Sequence, residues 1–298
     1  MNNLSYTEYE SSLKSLETEN YFDRFFFRPV GFLIAKPLSK TRVTPNTITI
    51  ISIFVGAAAG PLFYFNKIRF VLIGILCLIL ANILDCVDGQ LARLTGKNSK
   101  IGRILDGIAG DVWFAAIYVS LALRLKSEFG SWLFFIPAVL SGASHLVQAS
   151  ITDYYKTLHL YFVSKEKGQD FQDFDGIRDQ YNLMKPSIGK VLFFLYSRYT
   201  LLQEVITPQL QRMLQHLHTK YGDNIPEDIR LDFRSQSKRL MKTFIDLMTF
   251  NGRITFLIIA VLSGYIWLYF VFEIIILNLV LFLSINLHEK ICAKFIDR

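Results

Sequence analysis

The chain has 298 residues, 52% of them hydrophobic and 14% aromatic, with a mean hydropathy of +0.33. That composition excludes an ordinary soluble domain of this length and puts a membrane class first. The net charge of +7 is carried by residues that flank apolar segments rather than by one soluble face, so it reads as membrane orientation, nucleic-acid binding is the weaker explanation, and no nucleic acid is expected as a partner.

Met1 to Tyr21 is polar and leans acidic, so the first hydrophobic segment is expected to stay in the mature protein rather than act as a cleaved leader. Tyr21 to Ser39 mixes Phe22, Phe25, Phe26, Phe27, Phe32, Leu33 and Ile34 with Arg24, Arg28 and Lys36, the make-up of a helix lying in the membrane interface. Thr44-Pro45-Asn46-Thr47-Ile48-Thr49 then opens the first span with residues suited to an N-cap.

Runs of roughly 18 or more mostly apolar residues satisfy the bilayer core. Six spans follow on that ground: 46–65, 69–94, 102–126, 130–157, 246–263 and 266–289. The turn between the last two falls at Ser263-Gly264 or at Glu273. With the amino end cytoplasmic, the outer loops hold only Lys67, Arg69, Arg124 and Lys126, leaving 28 of the 32 Lys and Arg inside. The expected architecture is an all-α membrane protein: an amino-terminal segment and interfacial helix over 1–45, helices 1–4 over 46–157, a helical cytoplasmic insertion over 158–245, and helices 5–6 with a basic tail over 246–298. Packing and anchoring is the leading reading of the insertion, ahead of a lid or a partner surface. Cys77, Cys86 and Cys292 are odd in number and sit in or beside apolar segments, so no disulfide framework is expected.

The chemistry lies between the second and third spans. Asp85 and Asp88 are three apart, Gly89 is four from Asp85, and Ala92 is four from Asp88, so the carboxylates share a helix face with the smallest side chains. Gly102 precedes Asp106 by one turn on the next helix, and the short turn over Thr95 to Ile101 is expected to bring the two helices side by side. Carboxylates at the edge of a bilayer are costly unless paired or metal-bound. Oxygen-only ligation points to Mg2+, Mn2+ or Ca2+ rather than zinc. Two such ions clamp a pyrophosphate and stabilise both oxygens of an in-line displacement, and Arg93 is placed to offset further phosphate charge. A proton or ion relay in a transporter is the rival reading of intramembrane aspartates.

The spacing Asp-x2-Asp-Gly-x2-Ala-Arg-x8-Gly-x3-Asp, filled here by Asp85, Asp88, Gly89, Ala92, Arg93, Gly102 and Asp106, resembles the signature of the CDP-alcohol phosphotransferases (CDP-alcohol phosphatidyltransferases). The resemblance implies that Asp85, Asp88 and Asp106 coordinate metal, with Mg2+ or Mn2+ as the ions, and that Gly89, Ala92 and Gly102 make room for a CDP group. It further implies that a last aspartate activates the acceptor hydroxyl, that Asn46 and Thr49 lie near the nucleotide, and that the protein is a homodimer. The pattern departs at its end: position 110 is Gly110, and the aspartate comes one residue later as Asp111. Five residues on from Asp106 is a rotation of about 140°, where four is about 40°. A single π-bulge, eased by Gly107 and Gly110, would turn Asp111 back as the general base and a fourth metal ligand.

Two family modes remain open. One moves a phosphatidyl group from CDP-diacylglycerol to a small polar alcohol such as inositol phosphate, inositol, glycerol phosphate or serine, as in the phosphatidylinositol-phosphate synthase type. The other moves a CDP-linked headgroup onto a lipid alcohol. Six helices resemble the first mode, and Arg103, Lys156 and Arg253 are candidate cations for a phosphorylated acceptor, against the plainer reading that they anchor the inner face. His145 is expected to be a buried neutral histidine bonded to a neighbour, and Glu273 a helix cap or dimer contact.

Overall fold

A computed structural model of the chain describes residues 3–13, 19–97, 99–163, 171, 173–222 and 224–296. Asn98 in the expected inter-helix turn, and 164–170, 172 and 223 in the expected insertion, lie outside the described residues. The described residues fold mainly as helices and include no strand. Among the described residues six helices are long and apolar enough to cross a membrane: Pro45–Tyr64, Ile68–Thr95, Ile101–Phe129, Trp132–Val163, Glu227–Ser263 and Trp267–Ala293. All six expected spans are therefore present, the fifth as the end of a longer helical run than its hydropathy marks.

The chain divides into two compact units. The first comprises Met1–Leu146 and Arg253–Ile275. It opens with α1 (Asn3–Ser12), a π-helical turn (Asp23–Phe27) and α2 (Arg28–Leu38). On these segments Tyr21, Phe22, Phe25, Phe26 and Leu33 are exposed, while Phe32 and Ala35 are buried. Gly31 is required to be small: a Cβ there would come within 2.5 Å of Gln90 Oε1 and 3.0 Å of Cys86 Cβ, so α2 crosses close over the helix that carries the motif.

α3 (Pro45–Tyr64), α4 (Ile68–Thr95) and α5 (Lys100–Phe129) form the body of this unit, and α3 packs along both of the others. Small residues permit the approach. A Cβ on Gly56 would strike the Trp113 ring, one on Gly60 the Ala116 carbonyl, and one on Gly74 the Phe63 ring. The helix ends follow local chemistry: Thr44 caps α3 ahead of Pro45 by accepting the Thr47 N–H, Gly96 ends α4 at φ +66°, and Ser99 Oγ accepts the Gly102 N–H at 2.9 Å to start α5.

α6 (Phe135–Val163) begins in this unit and continues into the second. α11 (Phe250–Ser263) and α12 (Trp267–Val271) meet at Gly264, whose φ of +80° makes it the turn between the last two spans. Glu273 is not a turn. It lies inside a helix, in the π-helical segment Phe272–Ile276 that leads into α13 (Leu277–Ala293).

The second unit comprises Val147–Gly252 and Ile276–Arg298. It holds the rest of α6, then α7 (Phe174–Leu183), α8 (Ile188–Ile206), α9 (Pro208–Tyr221), α10 (Glu227–Leu240) and α13. Glu289 on α13 caps α9, its two carboxylate oxygens accepting the backbone N–H groups of Gln209 and Leu210 at 2.6 and 3.1 Å.

A candidate carboxylate centre on the first unit

Asp85 and Asp88 sit near the end of α4, and Asp106 stands near the start of α5. One ligand oxygen from each lies within 4.8 Å of the other two. Burial is graded across the three: Asp88 is buried, Asp85 half-buried and Asp106 exposed, which leaves one open side to the cluster. Three ionised carboxylates so close repel one another unless a cation sits between them. Oxygen donors from two helices, open on one side, fit a hard divalent cation that keeps positions for a phosphate ligand.

Thr49 orients the buried member. Its Oγ1 donates to Asp88 Oδ2 at 2.5 Å, with the Pro45 carbonyl 3.2 Å from the same hydroxyl. Thr49 is itself buried, and the contact its hydroxyl makes here is to a carboxylate. Asn46 lies beside Gly102, where an added Cβ would come within 2.5 Å of Asn46 Oδ1. Asn46, Gly102 and the start of α5 thus border the carboxylates from the α3 side. Gly89 leaves room for the folded-back Arg93 guanidinium, whose Nη2 would be 3.2 Å from a Cβ at that position.

Arg93 Nε donates to the Ser12 carbonyl at the end of α1, and Nη2 is buried with no hydrogen-bond partner among the described residues. Gln90, at an unspecified position of the motif, donates to Ser12 Oγ at 3.2 Å and to the Arg28 carbonyl at 3.1 Å. The motif helix therefore also clamps the amino-terminal helices. Spacing alone could not reveal this, because the partners lie more than sixty residues away.

Asp111 is placed differently. α5 is an unbroken α-helix through Gly107 and Gly110, so the expected π-bulge is absent. Asp111 lies outside the cluster of three carboxylates, and its Oδ1 is 3.4 Å from His145 Nε2. His145 Nδ1 is in turn 3.0 Å from the Tyr118 hydroxyl. Asp111, His145 and Tyr118 line one cavity of about 280 Å³ together with Val112, Ala115, Gly142 and Leu146. The π-bulge expected to bring Asp111 to the cluster is corrected: five residues of regular helix turn the side chain about 140° from Asp106, and its observed partner is His145.

Arg253 is fully buried and ion-paired through Nη1 to Glu273, with its guanidinium 5.8 Å from the Phe114 ring centre. A guanidinium sealed in that way is committed to Glu273 in this structure. Arg103 is exposed on α5 next to Gly102, and Lys156 is half-buried on α6 within the second unit. His288, Glu289 and Cys292 form another group with ligand-type atoms within 4.8 Å. Because Glu289 already caps α9 with both oxygens, that group is a helix-anchoring cluster.

Residues 42–165 match the family model described as CDP-alcohol phosphatidyltransferase. The chain is 39% identical over 90 residues to an archaetidylinositol phosphate synthase of Pyrococcus horikoshii, covering 30% of this chain and 46% of the relative. It is 30% identical over 106 residues to an archaetidylinositol phosphate synthase of Aeropyrum pernix, covering 34% and 53%. To a phosphatidylinositol phosphate synthase of Streptomyces avermitilis it is 33% identical over 104 residues, covering 35% and 42%. The chain thus spans about half the length of the curated relatives it matches.

Proposed function

We propose, on the premise that residues 42–165 are a CDP-alcohol phosphatidyltransferase domain, that the chain moves a phosphatidyl group from CDP-diacylglycerol to an inositol phosphate and releases CMP. The acceptor hydroxyl oxygen forms a bond to the phosphatidyl phosphorus, the bond from that phosphorus to the CMP oxygen breaks with its electron pair staying on CMP, and the hydroxyl proton passes to water at the open side of the cluster. The convergence of Asp85, Asp88 and Asp106 carries this reading, because it unites the two arms of the motif in one oxygen-donor cluster.

Asp85, Asp88 and Asp106 would hold Mg2+ or Mn2+, two ions in the fullest case, supplying positive charge that offsets the donor pyrophosphate and the developing charge on the leaving oxygen. Thr49 holds the Asp88 carboxylate in place. Gly89, Ala92, Gly102 and Asn46 border the space for the CDP group, and Arg93 Nη2 faces the same helix turn as a donor for phosphate oxygen. Arg103, exposed on α5 of the same unit, remains the candidate cation for the acceptor phosphate. The names of the three relatives favour an inositol phosphate acceptor over transfer of a headgroup to a lipid alcohol.

In this reading the protein is a multi-pass membrane homodimer with its carboxylate centre at the cytoplasmic face, and the aromatic residues of Tyr21 to Leu38 rest in the lipid interface. The deciding experiment incubates the chain in vesicles with CDP-diacylglycerol, Mn2+ or Mg2+, and a panel of acceptors. CMP release is expected with inositol phosphate, and Asp106→Asn is expected to lower it by at least about a hundredfold. Absence of CMP with every acceptor, or an unchanged rate in Asp106→Asn, would turn the reading toward an ion-conducting protein.

A further inference from the structure

α8 in the second unit has its polarity inside out. Its buried positions are Phe193, Ser197, Thr200 and Gln203, followed by buried Thr207 just past its end. Its outward positions are Val191, Phe194, Leu195, Leu202 and Val205, exposed by 61, 40, 52, 36 and 69%. A helix on a water-soluble surface shows the reverse arrangement, with apolar side chains inward and polar ones outward.

The inward polar groups are satisfied without water. Ser197 Oγ donates to the Phe194 carbonyl at 2.7 Å, Thr200 Oγ1 to the Tyr196 carbonyl at 3.2 Å, and Thr207 Oγ1 to the Gln203 carbonyl at 2.7 Å. Gln203 Nε2 donates to the Ser150 carbonyl at 2.9 Å. Ser150 belongs to α6, within the apolar helix Trp132–Val163, so the carboxyl end of α8 is fastened to the flank of a candidate membrane span.

Two observations set the depth. α7 packs along α8 and is tied to it at both ends: Glu204 Oε1 accepts the Phe174 N–H at 2.7 Å, and Lys190 Nζ donates to the Met184 carbonyl at 2.9 Å. Yet α7 carries Asp175, Arg178 and Asp179 with side chains 70, 50 and 73% exposed, and charges that open require water. α8 is therefore not immersed as a span. Arg198 sits in the middle of the apolar stripe with its guanidinium 5.0 Å from the Phe194 ring centre, and a cation on so long a stem reaches lipid phosphates from an apolar surface.

We propose that α8 is an in-plane membrane anchor, with Val191, Phe194, Leu195, Leu202 and Val205 set among acyl chains, Arg198 at the lipid phosphates and α7 on the water side. The occupant of this face is the bilayer itself. The assignment rests on unit-internal contacts and stands independently of the catalytic reading.

The test places single cysteines at Val191, Leu195 and Leu202, with Asp179→Cys as the reference. Native Cys86 and Cys292 are buried, and the unmodified chain supplies the background for Cys77. Each variant is labelled with bimane and reconstituted in phosphatidylcholine vesicles containing phosphatidylglycerol. Doxyl-lipid quenching is expected to exceed iodide quenching severalfold at the three α8 positions, and the order is expected to reverse at Asp179→Cys. Iodide quenching at Leu195→Cys equal to that at Asp179→Cys places the stripe in water and overturns the proposal. Protection from both quenchers with copper-phenanthroline cross-linking between chains assigns the face to a second copy and overturns it equally. The unmodified chain gives a second readout that needs no variant: in lipid nanodiscs, hydroxyl radicals are expected to oxidise Phe194 no faster than buried Phe193, and markedly faster oxidation counts against the anchor.

Discussion

Thr49 commits its hydroxyl to Asp88 Oδ2 and so decides which oxygen of that buried carboxylate remains for a ligand. Thr49→Val keeps the shape and removes the bond. Loss of an outer partner of a metal-ligating carboxylate lowers metal affinity by about 10 to 100-fold. The free Mn2+ paramagnetic signal, titrated against protein, measures this directly, and unchanged Mn2+ binding would remove Thr49 from the site. Asp111 makes the complementary prediction. Its carboxylate meets His145 rather than the cluster, so Asp111→Asn is expected to slow CMP release by less than about tenfold where Asp106→Asn costs at least about a hundredfold. Equal losses in the two variants would restore Asp111 to the reacting centre. The three clustered aspartates were legible in the sequence because i, i+3 spacing and a paired glycine on the next helix define faces without any knowledge of packing. Asp111 was half legible: the 140° rotation was visible, but its partner is on another helix and only the fold supplies it.

At the scale of single elements, the join between α11 and α12 was legible as two alternatives, and backbone chemistry separates them. Gly264 takes φ +80°, which a glycine adopts without strain, whereas Glu273 is helical and buried against Arg253. The sequence hides that ion pair because twenty residues and a turn separate the partners. Both side chains are withdrawn from solvent, so removing either leaves an uncompensated charge. Arg253→Leu or Glu273→Gln alone is expected to destabilise the chain by about 3–5 kcal/mol, while Arg253→Leu with Glu273→Leu together regains most of the loss. Thermal unfolding in nanodiscs measures all three variants. A double variant that loses the sum of the two single losses would mean the two residues act apart.

For the whole molecule, exposure has a meaning opposite to that in a soluble protein. Ile50, Ile51, Phe54, Leu72, Leu76, Leu279 and Phe282 are all exposed on helices apolar enough to cross a membrane, so lipid is the solvent these faces fit. That is why hydropathy alone marked the six spans, and why it failed at α8, whose apolar stripe is diluted by the polar residues it buries. The positive-inside expectation gives an orientation to test: the amino end and the carboxylate centre are expected in the cytoplasm, and the joins at Lys67 and Gly264 outside. A membrane-impermeant maleimide applied to intact cells is expected to label Lys67→Cys and Tyr265→Cys, both at exposed positions, and to reach Lys40→Cys only after permeabilisation. Labelling of Lys40→Cys in intact cells with Lys67→Cys silent would invert the topology. It would also put the carboxylate centre on the outer side, so the orientation assay bears on the proposed reaction as directly as any substitution at the aspartates.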